Sequence, residues 1–240
     1  MFFGYHKSYI VFDYGGAKIT RADQSVIKSP KIYIKPPRAH HFGLCKPKNS
    51  SFITFLLQPT AFQIITGLDA YSNRFNFHSL HDCFTEEELW SFYHWCEHQD
   101  DAETIHNQKF EICKEKLARE WNQQTPIDDI IAFIIKNKGL VKIEDILCKY
   151  PFSLSTLNRY AKKYIGMTIG LYIRLVKFTE FLRLIDVKDT NINDLVYDFG
   201  YFDQSHLVKD FKRFAGITPS EYCGPSHKLL QELFIQKTDT

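Results

Sequence analysis

The feature that most restricts what this chain can fold into is an internal repeat in its second half. Ile143, Ile146 and Leu147 return as Ile192, Leu195 and Val196, 49 residues later. Beyond the next turn the spacing becomes 50. It pairs Leu157 with Leu207, Arg159 with Lys209, Lys162 with Lys212, Lys163 with Arg213, Gly166 with Gly216, Thr168 with Thr218 and Tyr172 with Tyr222. One extra residue in the second turn accounts for the change. Each copy reads as a short amphipathic helix, a tight turn, a second helix and a glycine stop. Ser153 and Asp203 stand where a side-chain oxygen can cap the second helix. This is the pattern of a helix-turn-helix.

Between the copies, Leu171, Leu175, Phe178, Leu182 and Ile185 alternate at steps of four and three, which predicts one helix over roughly 171–185 with a single apolar face. A rigid helix there holds the two units at a fixed separation. Two second helices so held can enter successive major-groove segments on one face of a duplex, about 34 Å apart.

The repeat is preceded by another well-marked helix. Thr125 can cap it and Pro126 suits its first position. Asp128 and Asp129 favour its positive end, Lys136 and Lys138 its negative end, and Gly139 can supply the left-handed stop. Ile127, Ile130, Ile131, Ile134 and Ile135 form its buried stripe. A domain boundary is expected just before it.

The sequence of the helical half closely resembles the AraC/XylS family of bacterial transcription regulators, over Ile127 to about Pro225. The most specific part runs Ile192-x-x-Leu195-Val196-x-x-x-Gly200-Tyr201-x-x-Gln204-Ser205-His206-Leu207-x-Lys209-x-Phe211-Lys212-Arg213-x-x-Gly216-Ile217-Thr218-Pro219-Ser220-Glu221-Tyr222. The first copy, Leu157-Asn158-Arg159-Tyr160-Ala161-Lys162-Lys163-x-x-Gly166-Met167-Thr168, fits as well. The chain departs from the family at Leu147 and Val196, where alanine is usual, and at Pro151, where glycine is usual in the first turn.

The resemblance implies a sequence-specific regulator that binds double-stranded operator DNA. Ser155, Asn158 and Arg159 would face bases in the first unit, and Gln204, Ser205, Val208 and Lys209 in the second. Asn suits adenine and Arg suits guanine through paired hydrogen bonds. Lys162, Lys163, Lys212 and Arg213 either meet phosphates or lie on the solvated rear. Tyr201, Phe202, Phe211 and Phe214 are expected in the core. RNA polymerase is an implied partner. The resemblance also implies an N-terminal domain that senses a small-molecule effector, forms a homodimer, or both, often as a cupin-like β-barrel.

The charge is local. Residues 126–225 hold 14 basic and 12 acidic side chains, but 152–165 hold Arg159, Lys162 and Lys163 and no acid. A weak overall field predicts modest non-specific affinity and places more weight on specific contacts.

The N-terminal half reads differently. Ser8 to Phe12, Ala17 to Thr20, Lys31 to Lys35 and Phe52 to Gln58 are short, rich in β-branched and aromatic residues, and separated by Gly and Pro. Thr85 with Glu88 suggests a capping box, and 100–121 a long exposed helix that is a candidate dimer contact. The fold class is therefore α+β. A small β-rich, incompletely barrelled domain with helices spans 1–124, an all-α double helix-turn-helix domain 125–225, and a tail 226–240. Lys31 to Arg38 and Phe52 to Pro59 resemble the N-terminal domain of one AraC-like subgroup.

Other chemistries find little support. Hydrophobic residues at 44 % and charged residues at 24 % are ordinary for a globular chain. No apolar run spans a bilayer, and Gly4, His6, Lys7 and Asp13 interrupt any secretory h-region, so a cytoplasmic location is expected. The six cysteines are scattered, which suggests reduced and mostly buried thiols rather than a disulfide or zinc scaffold. His40, His41, His78 and His81 read as ordinary loop histidines. Trp90, Phe92, Tyr93 and Trp95 read as core or dimer contact. No catalytic motif is present, so no enzyme, metal or cofactor is expected. Two alternatives are a cupin-like metalloenzyme fused to a helix-turn-helix module, and a protein-interaction module.

Overall fold

A computed structural model describes residues 4–13, 16, 18–20, 26–41, 43–45, 52–80, 85, 87, 123–188, 196–197, 199–201 and 203–223. The expected capping box at Thr85, the helix over 100–121, the aromatic cluster from Trp90 to Trp95, His81 and Phe202 lie wholly or largely outside them.

The first half forms two antiparallel sheets. Strands β1 (Ser8–Asp13), β2 (Lys18–Thr20), β3 (Val26–Lys28), β4 (Ile32–Lys35), β5 (Gly43–Cys45), β6 (Phe52–Leu57) and β7 (His78–Ser79) pair in the orders β6-β1-β4-β7 and β3-β2-β5. Strands β3, β5 and β7 have only two or three residues and no run of β-branched or aromatic residues long enough to stand out; β2, also of three residues, falls within the Ala17 to Thr20 stretch read as a strand. Helix α1 (Ala61–Thr66) follows β6 and stops at Gly67, which has φ 69°.

The larger sheet has two different faces because side chains alternate along a strand. Ile10 stands opposite Ile34 on one side and Phe55 on the other. These residues, with Phe12, Ile32 and Leu57, bury against Phe62 and Ile65 of α1 and against Leu80. The opposite face carries Tyr9, Val11 and Tyr33, with Phe77 packed on them.

The helical half contains α2 (Asp128–Lys136), α3 (Ile143–Lys149), α4 (Leu154–Ile165), α5 (Ile169–Lys188), α6 (Gln204–Phe214) and α7 (Pro219–Tyr222). The first copy of the repeat is α3 and α4. The second ends in α6, and its leading helix lies mostly outside the described residues. At the start of α2 the Asp128 carboxylate accepts both the Thr125 N–H and hydroxyl, at 2.6 and 2.8 Å. It also accepts the hydroxyl of Thr60, at 3.0 Å, from the end of the sheet region. Ile127, Ile130, Ile131 and Ile134 are buried as the stripe predicted, while Ile135 is half-buried.

Helix α5 departs from the single apolar face expected of it. Tyr172, Ile173, Val176 and Phe181 are buried along with Leu175, Phe178, Leu182 and Ile185. Both helix-turn-helix units and the N-terminal half pack around it, so it is covered on nearly all sides, with its charged residues Arg174, Lys177 and Glu180 half-buried and Arg183 exposed. Phe181 meets Phe199, Tyr201 and Phe211 edge-on, with centroids 5.5, 5.6 and 6.3 Å apart. Such pairs add about 0.5–1.5 kcal/mol each beyond area burial. Cys148 and Cys223 are free and exposed, two exceptions to the mostly buried thiols expected. No described helix is long and apolar enough to cross a membrane.

A short strap joins the halves. The Tyr5 and Arg38 backbones exchange hydrogen bonds of 2.7 and 2.8 Å, and the Gly4 N–H donates to the Phe214 carbonyl at 2.7 Å. Gly4 is required by proximity, since a Cβ there would lie 2.8 Å from the Arg38 carbonyl oxygen and 3.2 Å from Leu175. His6, within the strap, is buried and its Nδ1 has no hydrogen-bond partner. Burial first, then Lys7, pushes its pKa down to about 3. The unfolded chain takes up this proton below pH ~6.5, whereas the folded chain resists it until about pH 3. Stability therefore falls by about 1.4 kcal/mol for each pH unit below 6.5 down to that point. Thermal melting from pH 7 to 4 is expected to show this loss in the native protein. His6→Gln is expected to flatten it.

Candidate nucleic-acid interface

Helices α4 and α6 start from caps that their sequences supply. Ser153 Oγ accepts the Thr156 N–H at 3.2 Å, and Asp203 Oδ1 accepts the His206 N–H at 2.7 Å. Both helices stop where glycine takes a left-handed conformation, Gly166 at φ 73° and Gly216 at φ 76°. The first turn is built without glycine. Pro151 forces Tyr150 into extended backbone, φ −122° and ψ 139°, which ends α3.

Burial divides each of these helices into two faces. Leu157, Ala161 and Ile165 are buried on α4, and Leu207, Phe211 and Phe214 on α6. Ser155, Arg159, Lys162 and Lys163 are exposed on the first helix, and Gln204, Ser205, Lys209, Lys212 and Arg213 on the second. Val208 is half-buried. Tyr201, Phe211 and Phe214 lie in the core, as expected.

Asn158 requires a correction. Its side-chain oxygen accepts the Ile169 N–H at 3.0 Å, capping the start of α5. A paired contact to adenine needs both that oxygen and the amide nitrogen, so Asn158 is committed to joining the first helix to α5. The spacing placed it near the exposed face but gave no sign of this bond across the turn.

The second helix is joined to α5 by charge. Arg174 bonds Asp210, whose side chain is only 1 % exposed while that of Arg174 is 38 % exposed. Lys177 lies 4.1 Å from the centroid of the Tyr201 ring. Burial lowers the pKa of Lys177, and Asp210 opposes that shift. Burial raises the Tyr201 pKa, and Asp210 raises it further. Two cations of α5 thus face one buried carboxylate of α6. Helix α5 has 20 residues, about 30 Å at 1.5 Å per residue. That span suits two helices set for neighbouring turns of one groove.

The ends of both helices are completed from the N-terminal half. The last carbonyls of any helix lack intrahelical partners. Here the Ala70 N–H donates to the Lys163 carbonyl at 2.9 Å, and Gly4 to that of Phe214. The glycine stops are covered too: a Cβ on Gly166 would lie 3.1 Å from the Ala70 oxygen, and one on Gly216 2.5 Å from the His41 ring. These four contacts had no sequence signal. Among the described residues, no three His, Cys, Asp or Glu side chains gather as a metal-ligand group. His40 and His41 are exposed, and His78 Nε2 lies 3.0 Å from Asn73 Oδ1.

Two capped helices with polar outer faces, held by one central helix, define a double helix-turn-helix DNA-binding protein. A family model described as a helix-turn-helix domain matches residues 149–224. The probable transcription factor PqrA of Proteus vulgaris is 30 % identical over 87 residues, which are 36 % of this chain and 70 % of PqrA. The transcriptional activator AarP of Providencia stuartii is 27 % identical over 101 residues, 42 % of this chain and 75 % of AarP. In solved structures the fold matches ToxT of Vibrio cholerae, with a TM-score of 0.55 and 11 % identity over 92 % of this chain and 91 % of that one. It also matches ToxT bound to an unsaturated fatty acid, with a TM-score of 0.52 and 15 % identity over 92 % and 89 %. The chain belongs to the AraC/XylS family and is a DNA-binding transcription regulator.

The joint between α5 and α6 is open to test. Arg174→Met leaves the Asp210 carboxylate buried with Lys177 as its one remaining nearby cation among the described residues, and is expected to cost about 3 kcal/mol or more in urea unfolding. Asp210→Ala is expected to cost less, because the stranded Arg174 can turn to solvent.

Proposed function

We propose that residues 125–225 read an operator with Ser155 and Arg159 from α4 and with Gln204, Ser205, Val208 and Lys209 from α6, while Lys162, Lys163 and Lys212 hold phosphates. The observation that carries this is the pair of equivalent exposed faces on helices locked to one central helix. Residues 1–124 are the regulatory domain, with 226–240 a tail. A homodimer and RNA polymerase are the further partners of such a regulator.

Selection from a random duplex pool is expected to enrich two blocks roughly one helical turn apart. Arg159→Ala and Lys209→Ala are each expected to weaken binding to that site by about 1–3 kcal/mol and to relax the choice at one base position. Unchanged affinity in both variants refutes the assignment.

The N-terminal domain senses an amphipathic anion. The face of the larger sheet bearing Tyr9, Val11 and Tyr33 also carries Lys35, which is 1 % exposed, and Arg38 lies nearby. Lys35 Nζ sits 3.6 Å from the centre of the Phe77 ring. Burial lowers the Arg38 pKa and raises that of Tyr33. Two buried cations and two phenols, beside the single buried carboxylate of Asp13 on the same face, leave the group net positive and suit a carboxylate on a hydrocarbon chain, the class of ligand that ToxT holds. Period-two alternation in 31–38 already places Tyr33 and Lys35 on one face. An unsaturated fatty acid at 100 times its Kd is expected to add about 2.7 kcal/mol of stability, seen as a raised Tm. Lys35→Met is expected to remove that rise.

A further inference from the structure

Beside the two reading helices runs a surface strip in which cations and aromatic rings alternate. It starts at Lys162 on α4, whose Nζ lies 5.3 Å from the centre of the Tyr71 ring. The Arg74 guanidinium stacks on the same ring at 3.9 Å and reaches the Phe75 ring at 4.6 Å. Phe75 is followed by His40, with ring centroids 6.0 Å apart. Burial first, and then the charges of Arg213, Arg38, His41 and Arg74, lower the His40 pKa, so His40 joins the strip as a neutral ring that can donate an N–H. The neighbouring His41 ring closes the strip against Gly216 at the end of α6.

The rings at its centre are open to solvent, Tyr71 by 39 % and Phe75 by 49 %. Among the described residues no carboxylate is bonded to Lys162, Arg74, His40 or Arg213. The nearby Asp69 carboxylate is occupied by the Ser72 N–H, at 2.8 Å. Arg74 donates to the Tyr71 carbonyl, which holds the guanidinium in place and leaves N–H groups pointing elsewhere. The Ala70 hydrogen bond to α4 fixes the whole turn next to the reading helix.

We propose that this strip, Lys162, Tyr71, Arg74, Phe75 and His40, is a second DNA contact, through which the N-terminal domain binds the phosphate backbone at the C-terminal ends of the two reading helices. The inference rests on α4 and α6 being the reading helices. A helix lying in the major groove brings its ends toward the flanking phosphate strands. In this fold the C-terminal ends of both helices converge on the strip. Its charge is complementary to phosphate, and it continues the row of exposed cations at Lys162 and Lys163. A ring beneath each cation holds it extended, so little freedom is lost on binding. The contact is independent of base sequence, so it adds affinity and salt dependence without changing the motif read.

The test measures binding of the full chain to its selected duplex and to a scrambled duplex across a range of salt concentrations. Arg74→Gln is expected to weaken both by roughly three- to tenfold and to lower the salt slope by about 1. Arg74→Lys is expected to keep the slope, which separates charge from any loss of local structure. Arg159→Ala serves as reference and is expected to weaken only the selected duplex. If Arg74→Gln leaves affinity and slope unchanged while Arg159→Ala weakens the selected site, the strip is not a DNA contact and the reading helices stand. Tighter binding by Arg74→Gln also overturns it, by making the strip an obstacle to DNA. No effect of either variant removes the reading helices and the strip together.

Discussion

The end of an α-helix leaves carbonyl oxygens that its own backbone cannot satisfy, and in this protein the second helices of both helix-turn-helix units find one partner in the N-terminal half. Ala70 serves the first and Gly4 the second. The glycine stops of both helices lie under side chains or backbone of the same N-terminal region. The orientation of the two helices is therefore set from both sides. Helix α5 holds them from within, through Asn158 and through the Arg174–Asp210 pair. The N-terminal half holds them at their ends. The strap and the 69–75 turn thus supply part of the hydrogen bonding that completes both helices. This gives a direct physical connection between the N-terminal region and the ends of the two helices.

Much of the helical half could be read from residue order. The caps at Ser153 and Asp203, the stops at Gly166 and Gly216 and the stripe of α2 follow from local chemistry that acts within a few residues. The burial of α5 on nearly all sides was not legible, because it depends on three separate bodies packing around one helix. Asn158 shows the same limit within the site. Its identity suits a base contact, and only the proximity of Ile169 across the turn assigns it elsewhere. In the first half, β1, β4 and β6 are long enough to show their character in residue order and β2 lies in a flagged stretch, while β3, β5 and β7 are too short to stand out. Lys162 meets Tyr71, and His40 meets Phe75, only through tertiary contacts, and no linear motif announces either pair.

The electrostatics follow a similar division. The DNA-binding half is almost neutral in sum, so long-range attraction to nucleic acid is weak and position matters more than total charge. Several of its carboxylates serve as structural partners: Asp128 at the start of α2, Asp203 at the cap of α6, Asp210 within the core and Glu221 at the cap of α7. Lysines and arginines remain exposed along α4 and α6. Neutrality overall thus coexists with two locally cationic surfaces.

The strap also has a consequence for biosynthesis. Gly4 and Phe214 bond to each other although about 210 residues separate them. At the usual ~5–20 residues per second, the ribosome reaches the second of them about 10–40 seconds after the first. Throughout that interval the edge around Tyr5, His6 and Arg38 has been made without the helix that covers it. The nascent sheet waits with that margin, including the otherwise buried His6 and Arg38, open to water. Closing of the strap is then a late event in maturation, and a chain truncated before Phe214 would lack the partner that its earliest segment needs.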